Sequence, residues 1–235
     1  MRTYVVNLKR RADRRQRIEA LLPAFLEPEF TTDWEGPLDG KDLAADALAE
    51  YGLFPWKIDS DNSWWSRRLK KGEIGCAISH LKCWELAVAR GDRSFLVLED
   101  DVLFVDGFVE RLQDGLARLE RFDANWDLVY LGRVPLEPGR RVIDGIVQPG
   151  YSHCTYGYAL TSAGAGKLLS AGLQDALIPV DEFLPAMYID HPRPDVRRRY
   201  PRRLAAYAFD PAIVLQLPKD IAGSDTEDTE FVDWV

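Results

Sequence analysis

Phe95-Leu96-Val97-Leu98-Glu99-Asp100-Asp101-Val102 joins an apolar run directly to three consecutive carboxylates and then turns apolar again. The apolar half reads as a buried strand of a parallel sheet. Three acids at its end repel one another and lose hydration, which costs several kcal/mol on the order expected for buried charge without a partner. A divalent cation carrying a phosphorylated ligand resolves the conflict, and ligands of open α/β sheets sit at the carboxyl ends of strands. Capping of a following helix, or pairing with arginines, resolves it equally well. The residues alone leave both open.

Working outward, the chain alternates strand-like and helix-like segments. Thr3 to Leu8 reads as a strand, Ala12 to Leu22 as a helix, and Glu73 to Arg90 as the clearest helix, with Ile74, Ala77, Ile78, Leu81 and Leu86 at helical spacing and Gly91 as its stop. Phe108 to Phe122, Ser162 to Gly172 and Val180 to Tyr188 read as further helices, and Asp127 to Leu131, Tyr156 to Leu160, Leu204 to Phe209 and Ile213 to Leu217 as strands. Residues 31 to 71 read as an irregular region with a short helix near Leu43 to Tyr51, and Gly223 to Val235 as an acidic tail. The order predicts one α/β domain over residues 1–235, a mostly parallel sheet covered by helices.

Composition narrows the classes. A 235-residue chain that is 46% hydrophobic can bury a substantial core. The net charge of −8 argues against general nucleic-acid binding. Cys76, Cys83 and Cys154 make an odd count with no disulfide framework, which suits a reducing compartment. No apolar run reaches the ~20 residues of a membrane span. The first strand starts at Thr3, which leaves no signal peptide. The expectation is a cytoplasmic protein without a membrane span.

Several constellations carry possible chemistry. Lys9, Arg10, Arg11, Arg14, Arg15 and Arg17 follow the first strand, where a nucleotide phosphate often docks, or form a solvated basic helix face. Asp13 reads as the N-cap of that helix or as an early acidic residue near its dipole. Cys76, His80 and Cys83 share one helix face with spacing that can hold zinc, although no second ligand pair follows; a buried thiol pair beside a hydrogen-bonded histidine is the simpler reading. No Gly-x-Ser-x-Gly elbow or P-loop is present. Asp181 and Glu182 sit between apolar residues bounded by Pro179 and Pro185, as a general base or as acids at a helix N-terminus. Trp34, Trp56, Trp64 and Trp65 offer sugar-stacking faces or core packing. Trp64 and Trp65 are adjacent, so on extended backbone only one faces a ligand.

Taken together, these segments resemble glycosyltransferase family 25, which includes bacterial lipooligosaccharide galactosyltransferases and the procollagen galactosyltransferases. The resemblance lies in Val6-Asn7-Leu8-Lys9-Arg10-Arg11-Ala12-Asp13-Arg14-Arg15, in Lys71-Gly72-Glu73-Ile74-Gly75-Cys76-Ala77-Ile78-Ser79-His80, in Leu98 to Val102, and in Trp126 to Gly132. It continues through Tyr158-Ala159-Leu160, Gly164 to Leu169 and Pro179 to Leu184, in family order across nearly the whole chain. It leans toward the C-terminal domain of the procollagen branch through Asp181 to Met187, His191-Pro192 and Ser224 to Glu227. It covers one of that branch's two glycosyltransferase-like domains. The histidine that branch often carries just before the tail is replaced by Pro218 to Gly223, where Lys219 stands as a substitute phosphate contact.

The resemblance implies a GT-A (Rossmann-like) fold, a UDP-sugar donor, a divalent metal (Mn2+, or another such as Mg2+), and inversion at the anomeric carbon. It implies a galactose donor and a hydroxyl acceptor on protein or glycan, with hydroxylysine of a collagen-like protein favoured. Carried onto this chain, it makes Asp101 a metal ligand together with Glu99, and gives Asn7, Leu8, Arg11, Arg14, Ser79, His80, Glu99 and Asp100 to donor binding. Asp181 becomes the catalytic base with Glu182 in reserve, and Trp64, Trp65 and Asp225 fall on the acceptor side. The rival readings are a lipopolysaccharide or capsule β-galactosyltransferase, and a non-catalytic domain that binds a sugar nucleotide or a partner.

Overall fold

The computed structural model describes residues 1–233; the last two residues of the acidic tail, Trp234 and Val235, lie outside the described residues. The chain forms β1 (Arg2–Val6), α1 (Ala12–Leu21), β2 (Glu27–Phe30), α2 (Lys71–Arg90), β3 (Ser94–Glu99), β4 (Val102–Phe104), α3 (Phe108–Phe122) and β5 (Leu128–Pro135). Then come β6 (Arg140–Ile143), β7 (Ile146–Gln148), β8 (Ser152–Thr161), α4 (Ser162–Ser170), α5 (Val180–Ala186), α6 (Pro194–Arg199), β9 (Ala206–Phe209), β10 (Val214–Gln216) and α7 (Lys219–Ala222).

Eight strands make one sheet in the order β2-β1-β3-β8-β5-β9-β7-β6. The expected α/β, Rossmann-like architecture is present, with β2, β1 and β3 parallel and β5 parallel to β9. Strand β8 runs antiparallel between β3 and β5, so the sheet is mixed at its centre. Sequence alternation could not reveal this, because a strand buried on both faces is apolar in either direction.

Both faces of the sheet are covered. Tyr4, Phe95, Val97, Tyr130 and Tyr158 point to one core, where they meet Ile74, Ile78 and Trp84 of α2, Leu168 of α4 and Phe183 of α5. Val5, Leu96, Leu98, Val129 and Ala159 point to the other, against Ile18 of α1 and Leu112 and Leu119 of α3. This is the period-two alternation of a strand sandwiched between helical layers. Burying a leucine such as Leu96 completely contributes about 1.5–3 kcal/mol.

Helix α2 begins with a capping box: the Glu73 carboxylate accepts from the Lys70 backbone N–H at 2.7 Å. It ends at Gly91, whose φ of 73° is the left-handed conformation glycine tolerates. The acidic tail crosses the start of α2, and a Cβ on Gly72 would lie 2.7 Å from Thr226 Cα. Gly72 therefore permits that crossing, and its N–H donates to Thr229 Oγ1 at 2.9 Å.

Some expectations need correction. The short helix near Leu43 to Tyr51 is only a 3-10 turn at Asp46–Leu48. Strand β2 reads poorly from sequence because Glu27-Pro28-Glu29 is polar and holds a proline, a pattern tolerated at a sheet edge. The hairpin β6–β7 turns at Asp144-Gly145, with Gly145 at φ 71°. Strand β10 does not join the main sheet; it pairs antiparallel with β4. It crosses close above Gly132 of β5 and Gly157 of β8, where a Cβ at Gly132 would collide with the Val214 carbonyl and the Tyr156 ring.

That crossing carries Gln216 to the carboxylate cluster, so its tolerance is tightly set. Gly132→Ala should therefore destabilise the fold by about 1–3 kcal/mol through overpacking, whereas alanine at Gly166, which has nothing within 4 Å of its Cβ position, should not. Urea unfolding of the two variants checks this; equal midpoints would show that β10 has room to shift.

Candidate active site

The carboxyl ends of β1 and β3 and the start of α1 converge. Asn7 follows β1 and donates from Nδ2 to Asp100 Oδ2 at 2.6 Å. Arg14 of α1 donates from Nη1 to Asp100 Oδ1 at 2.8 Å and from Nη2 to the Ala222 carbonyl at 2.6 Å. Asp100 is thus held by protein donors at both oxygens, and its burial still keeps its carboxyl above the usual value against the pull of Arg14 and Asn7. Arg10, Arg11 and Arg14 also gather on Asp225 in the tail. The basic run after β1 therefore serves largely as an internal counter-charge to Asp100 and Asp225, the arginine-pairing solution to the carboxylate conflict.

Asp101 is treated differently. Its Oδ2 accepts from Gln216 Nε2 at 3.1 Å, while Oδ1 is buried without a hydrogen-bond partner. Burial, then the neighbouring Glu99 and Asp100 charges, push its carboxyl up to about 7. Glu99 is half-buried, and its Oε1 accepts from Thr155 Oγ1 at 3.0 Å. A buried carboxylate oxygen with no donor, beside a second carboxylate, is the chemistry of a hard-cation site. These residues fit the divalent metal that the family resemblance implies.

Two clefts meet at Cys76, Glu99 and Thr226. The smaller is lined by Asn7, Leu8, Arg14, Ser79, Asp100 and Asp225. The larger, about 360 Å³, is lined by Trp64, Glu99, His153, Thr155, Asp181 and Lys219 among others. Three consecutive residues, His153, Cys154 and Thr155, face this one cavity. A regular strand cannot do that; here the β5–β8 pairing shifts register and Cys154 adopts φ 67°. Such a conformation costs a non-glycine residue about 1–3 kcal/mol.

Asp181 and Glu182 have opposite environments. Burial would raise the Glu182 carboxyl, but His153, His191 and Tyr151 around it hold it well below the usual range. It accepts from the Tyr151 hydroxyl and from His191 Nε2, each at 2.7 Å, and from Trp65 Nε1 at 3.2 Å. His191 Nδ1 accepts the Arg193 backbone N–H at 3.1 Å, which leaves Nε2 as the donor. Asp181 accepts no side-chain hydrogen bond among the described residues, and burial followed by the Glu182 charge pushes it up to about 7. Glu182 is a fully partnered anion; Asp181 is a carboxylate with a free proton site in the cavity.

The remaining sequence candidates fall into place around these clefts. Trp64 is exposed and edges the larger cavity, with Arg67 4.5 Å over its ring. Trp65 turns inward onto Glu182, and the buried Trp56 donates to the Trp64 carbonyl at 3.0 Å. Asp225 lines the smaller cleft among the arginines and does not line the larger one. Ser79 is buried, bonded to the Gly75 carbonyl at 2.8 Å, and lines the smaller cleft. Arg11 forks onto Asp13 and also meets Asp225. Cys83 is packed in the core, so the helix-face trio of Cys76, His80 and Cys83 does not form; Cys76 and His80 group instead with Glu99. Thr155, Gln216, His153 and Tyr151 were not anticipated, because each reaches the site from a segment without a motif of its own.

Comparisons with known proteins identify the family. The family model for glycosyltransferase family 25 (LPS biosynthesis protein) matches residues 1–132. The chain belongs to glycosyltransferase family 25. Relatives include the "Inactive glycosyltransferase 25 family member 3" of Homo sapiens, 39% identical over 95% of this chain and 38% of that protein. "Procollagen galactosyltransferase 1" of Danio rerio is 36% identical over 98% of this chain and 39% of its own length. "Procollagen galactosyltransferase 2" of Homo sapiens is 34% identical, again over 98% of this chain and 39% of its own length. The chain thus spans about 38–40% of the length of the curated relatives it matches. No helix among the described residues is long and apolar enough to cross a membrane.

The raised Asp181 carboxyl has a measurable consequence. Between its ordinary value of 3.8 and about 7 the folded chain holds a proton that the unfolded chain has released. Stability therefore falls as pH rises through that window, and the penalty is complete above it. Asp181→Asn removes this contribution, so its melting temperature should exceed that of wild type at pH 8 and lose the advantage by pH 4. Thermal melts across that range check the sign; an advantage that shrinks as pH rises would contradict the raised value.

Proposed function

We propose that this chain is a GT-A-type, divalent-metal-dependent glycosyltransferase domain that moves galactose from UDP-galactose to a hydroxyl acceptor with inversion. A hydroxylysine side chain of a collagen-like protein is the favoured acceptor. The observation that carries the reading is the junction of two clefts at Glu99, with the buried, half-partnered Asp101 two residues further on and Asp181 free in the larger cleft. The names of the procollagen galactosyltransferase relatives support the choice of galactose and of acceptor.

In this reading the smaller cleft takes the nucleoside part of the donor. Asp101 and Glu99 would hold a divalent cation, which supplies counter-charge to the departing diphosphate. Lys219, exposed on the rim of the larger cavity, adds a second positive charge on the diphosphate side. Asp181 accepts the acceptor hydroxyl proton at its unpartnered carboxylate, from the face opposite the leaving group. Its elevated value suits a base that works near neutral pH. Glu182 does not compete for that role, since Tyr151, His191 and Trp65 occupy its oxygens. Trp64 supplies an apolar face at the acceptor mouth, and the inward Trp65 and the Glu182 network stiffen the segment that carries it.

A second reading, a sugar-nucleotide-binding domain without transfer, is favoured by the relatives named inactive. One experiment separates the two. UDP release by the purified chain is followed with a panel of UDP-sugars, with and without Mn2+, and with a hydroxylysine peptide. Transfer predicts release from UDP-galactose that needs both the metal and the peptide; binding alone predicts saturable UDP-galactose affinity with no release.

Variants sharpen the test. Asp101→Asn should keep the fold and lower turnover by on the order of a hundredfold, since the diphosphate loses its counter-charge. Asp181→Asn should lower kcat and leave UDP-galactose affinity nearly intact, and the wild-type rate should rise with pH through about 7 as the Asp181 carboxyl ionises. A loss of donor affinity without a loss of rate at saturation would move Asp181 to the donor site.

The aromatic segment gives a separate expectation. Trp64→Ala should raise the acceptor KM and leave stability nearly unchanged. The buried Trp56→Ala should cost about 3–5 kcal/mol of stability. Acceptor kinetics and thermal melts of the two variants check the division.

A further inference from the structure

His80 is wholly buried on α2, behind the wall where the two clefts meet. Its Nδ1 lies 2.8 Å from the Tyr158 hydroxyl, which also accepts from Trp84 Nε1 at 2.8 Å. Its Nε2 has no hydrogen-bond partner and lies 3.8 Å from Glu99 Oε1. Cys76, His80 and Glu99 offer ligand atoms within 4.8 Å of one another, which invites a reading of His80 as a direct metal ligand.

Proton bookkeeping points elsewhere. Indole N–H can only donate, so Trp84 occupies one lone pair of the Tyr158 oxygen. If His80 Nδ1–H also donated to that oxygen, the Tyr158 hydroxyl proton would be buried with no acceptor among the described residues. The Nε2 lone pair would then face a carboxylate. Both faults vanish if Tyr158 donates to Nδ1: a neutral His80 then carries its proton on Nε2, aimed at Glu99. A nitrogen that carries a proton does not ligate a metal.

We propose that His80 is a positioning residue for Glu99. The chain Trp84–Tyr158–His80 locks the imidazole as the Nε2–H form, and that N–H, with the Thr155 hydroxyl, fixes the Glu99 carboxylate toward the cleft. At 3.8 Å the pair is beyond hydrogen-bond range, so the proposal requires Glu99 to turn toward His80. The inference rests on the reading of Glu99 and Asp101 as cation-holding carboxylates and assigns the group that orients one of them.

Two measurements on the full chain test it. In ¹⁵N-histidine-labelled protein, with His80 assigned by its loss in His80→Gln, long-range ¹H–¹⁵N correlation should show Nε2 protonated and Nδ1 unprotonated, with or without Mg2+. Glu99→Gln should shift the Nε2 proton, and Tyr158→Phe should release the lock and populate the Nδ1–H form. Mn2+ affinity by electron paramagnetic resonance should fall roughly tenfold or more in His80→Leu, as for other groups that orient a metal-binding carboxylate. His80→Gln, which keeps a donor at similar reach, should rescue most of it. An unprotonated Nε2, in the presence of Mg2+ or without it, overturns the proposal, as does an Nε2 proton indifferent to Glu99→Gln. Wild-type protein that binds no Mn2+ sinks the cation reading; the response of the Nε2 proton to Glu99→Gln then decides the His80–Glu99 pairing by itself.

Discussion

Much of this molecule is arranged around the repulsion among Glu99, Asp100 and Asp101 at the carboxyl end of β3. Three adjacent acids cannot all be desolvated as anions without compensation. The fold answers each one separately. Asn7 and Arg14 satisfy Asp100, Thr155 holds Glu99, and Gln216 takes one oxygen of Asp101. These donors come from the segment after β1, from α1, from β8 and from β10. The requirement to neutralise one strand end therefore ties together elements from both halves of the chain and both faces of the sheet. The arginines that perform this service draw in the tail as well, through Asp225 and the Ala222 carbonyl.

The same contrast recurs at the second acidic pair. Glu182 and Asp181 are neighbours in sequence, yet one is surrounded by donors and the other is left bare. Adjacent residues at a helix start point in different directions, and here one points into a network of Tyr151, His191 and Trp65 while the other points into the cavity. Asp100 and Asp101 divide in the same way. In each pair protein donors fill both oxygens of one carboxylate and leave an oxygen of its neighbour bare. Environments that push paired carboxyl groups apart are the pattern by which acid and base roles are assigned at catalytic sites.

The relatives of this chain carry names on both sides of activity, so family membership by itself does not decide catalysis. What bears on that question is local: an orphaned oxygen on Asp101, a bare Asp181, and a strained Cys154 that turns three successive β8 residues toward one cavity. Strain and unsatisfied polar groups are costly, and folded chains retain them where a ligand is to complete them.

The sequence by itself determined the class of fold, the long helix, the apolar strand with its acidic end, and the family, because these are written in contiguous residues and in local periodicity. Gly91 stops α2, and Glu73 caps it, through contacts within a few residues. Trp64 and Trp65 do face apart, but they lie in a turn and not on the extended backbone from which that was expected. Only the tertiary structure decided the direction of β8, the crossing of β10 over Gly132, and the choice of Asp101 over Asp100 as the unsatisfied acid. It also decided that Glu182 is anchored while Asp181 is free. These depend on donors that arrive from distant segments: Gln216 lies more than a hundred positions from Asp101, and no local pattern marks a residue whose partner is that remote. A strand buried on both faces is equally apolar in either direction, so its pairing is set by hydrogen bonds to neighbours that the sequence does not name.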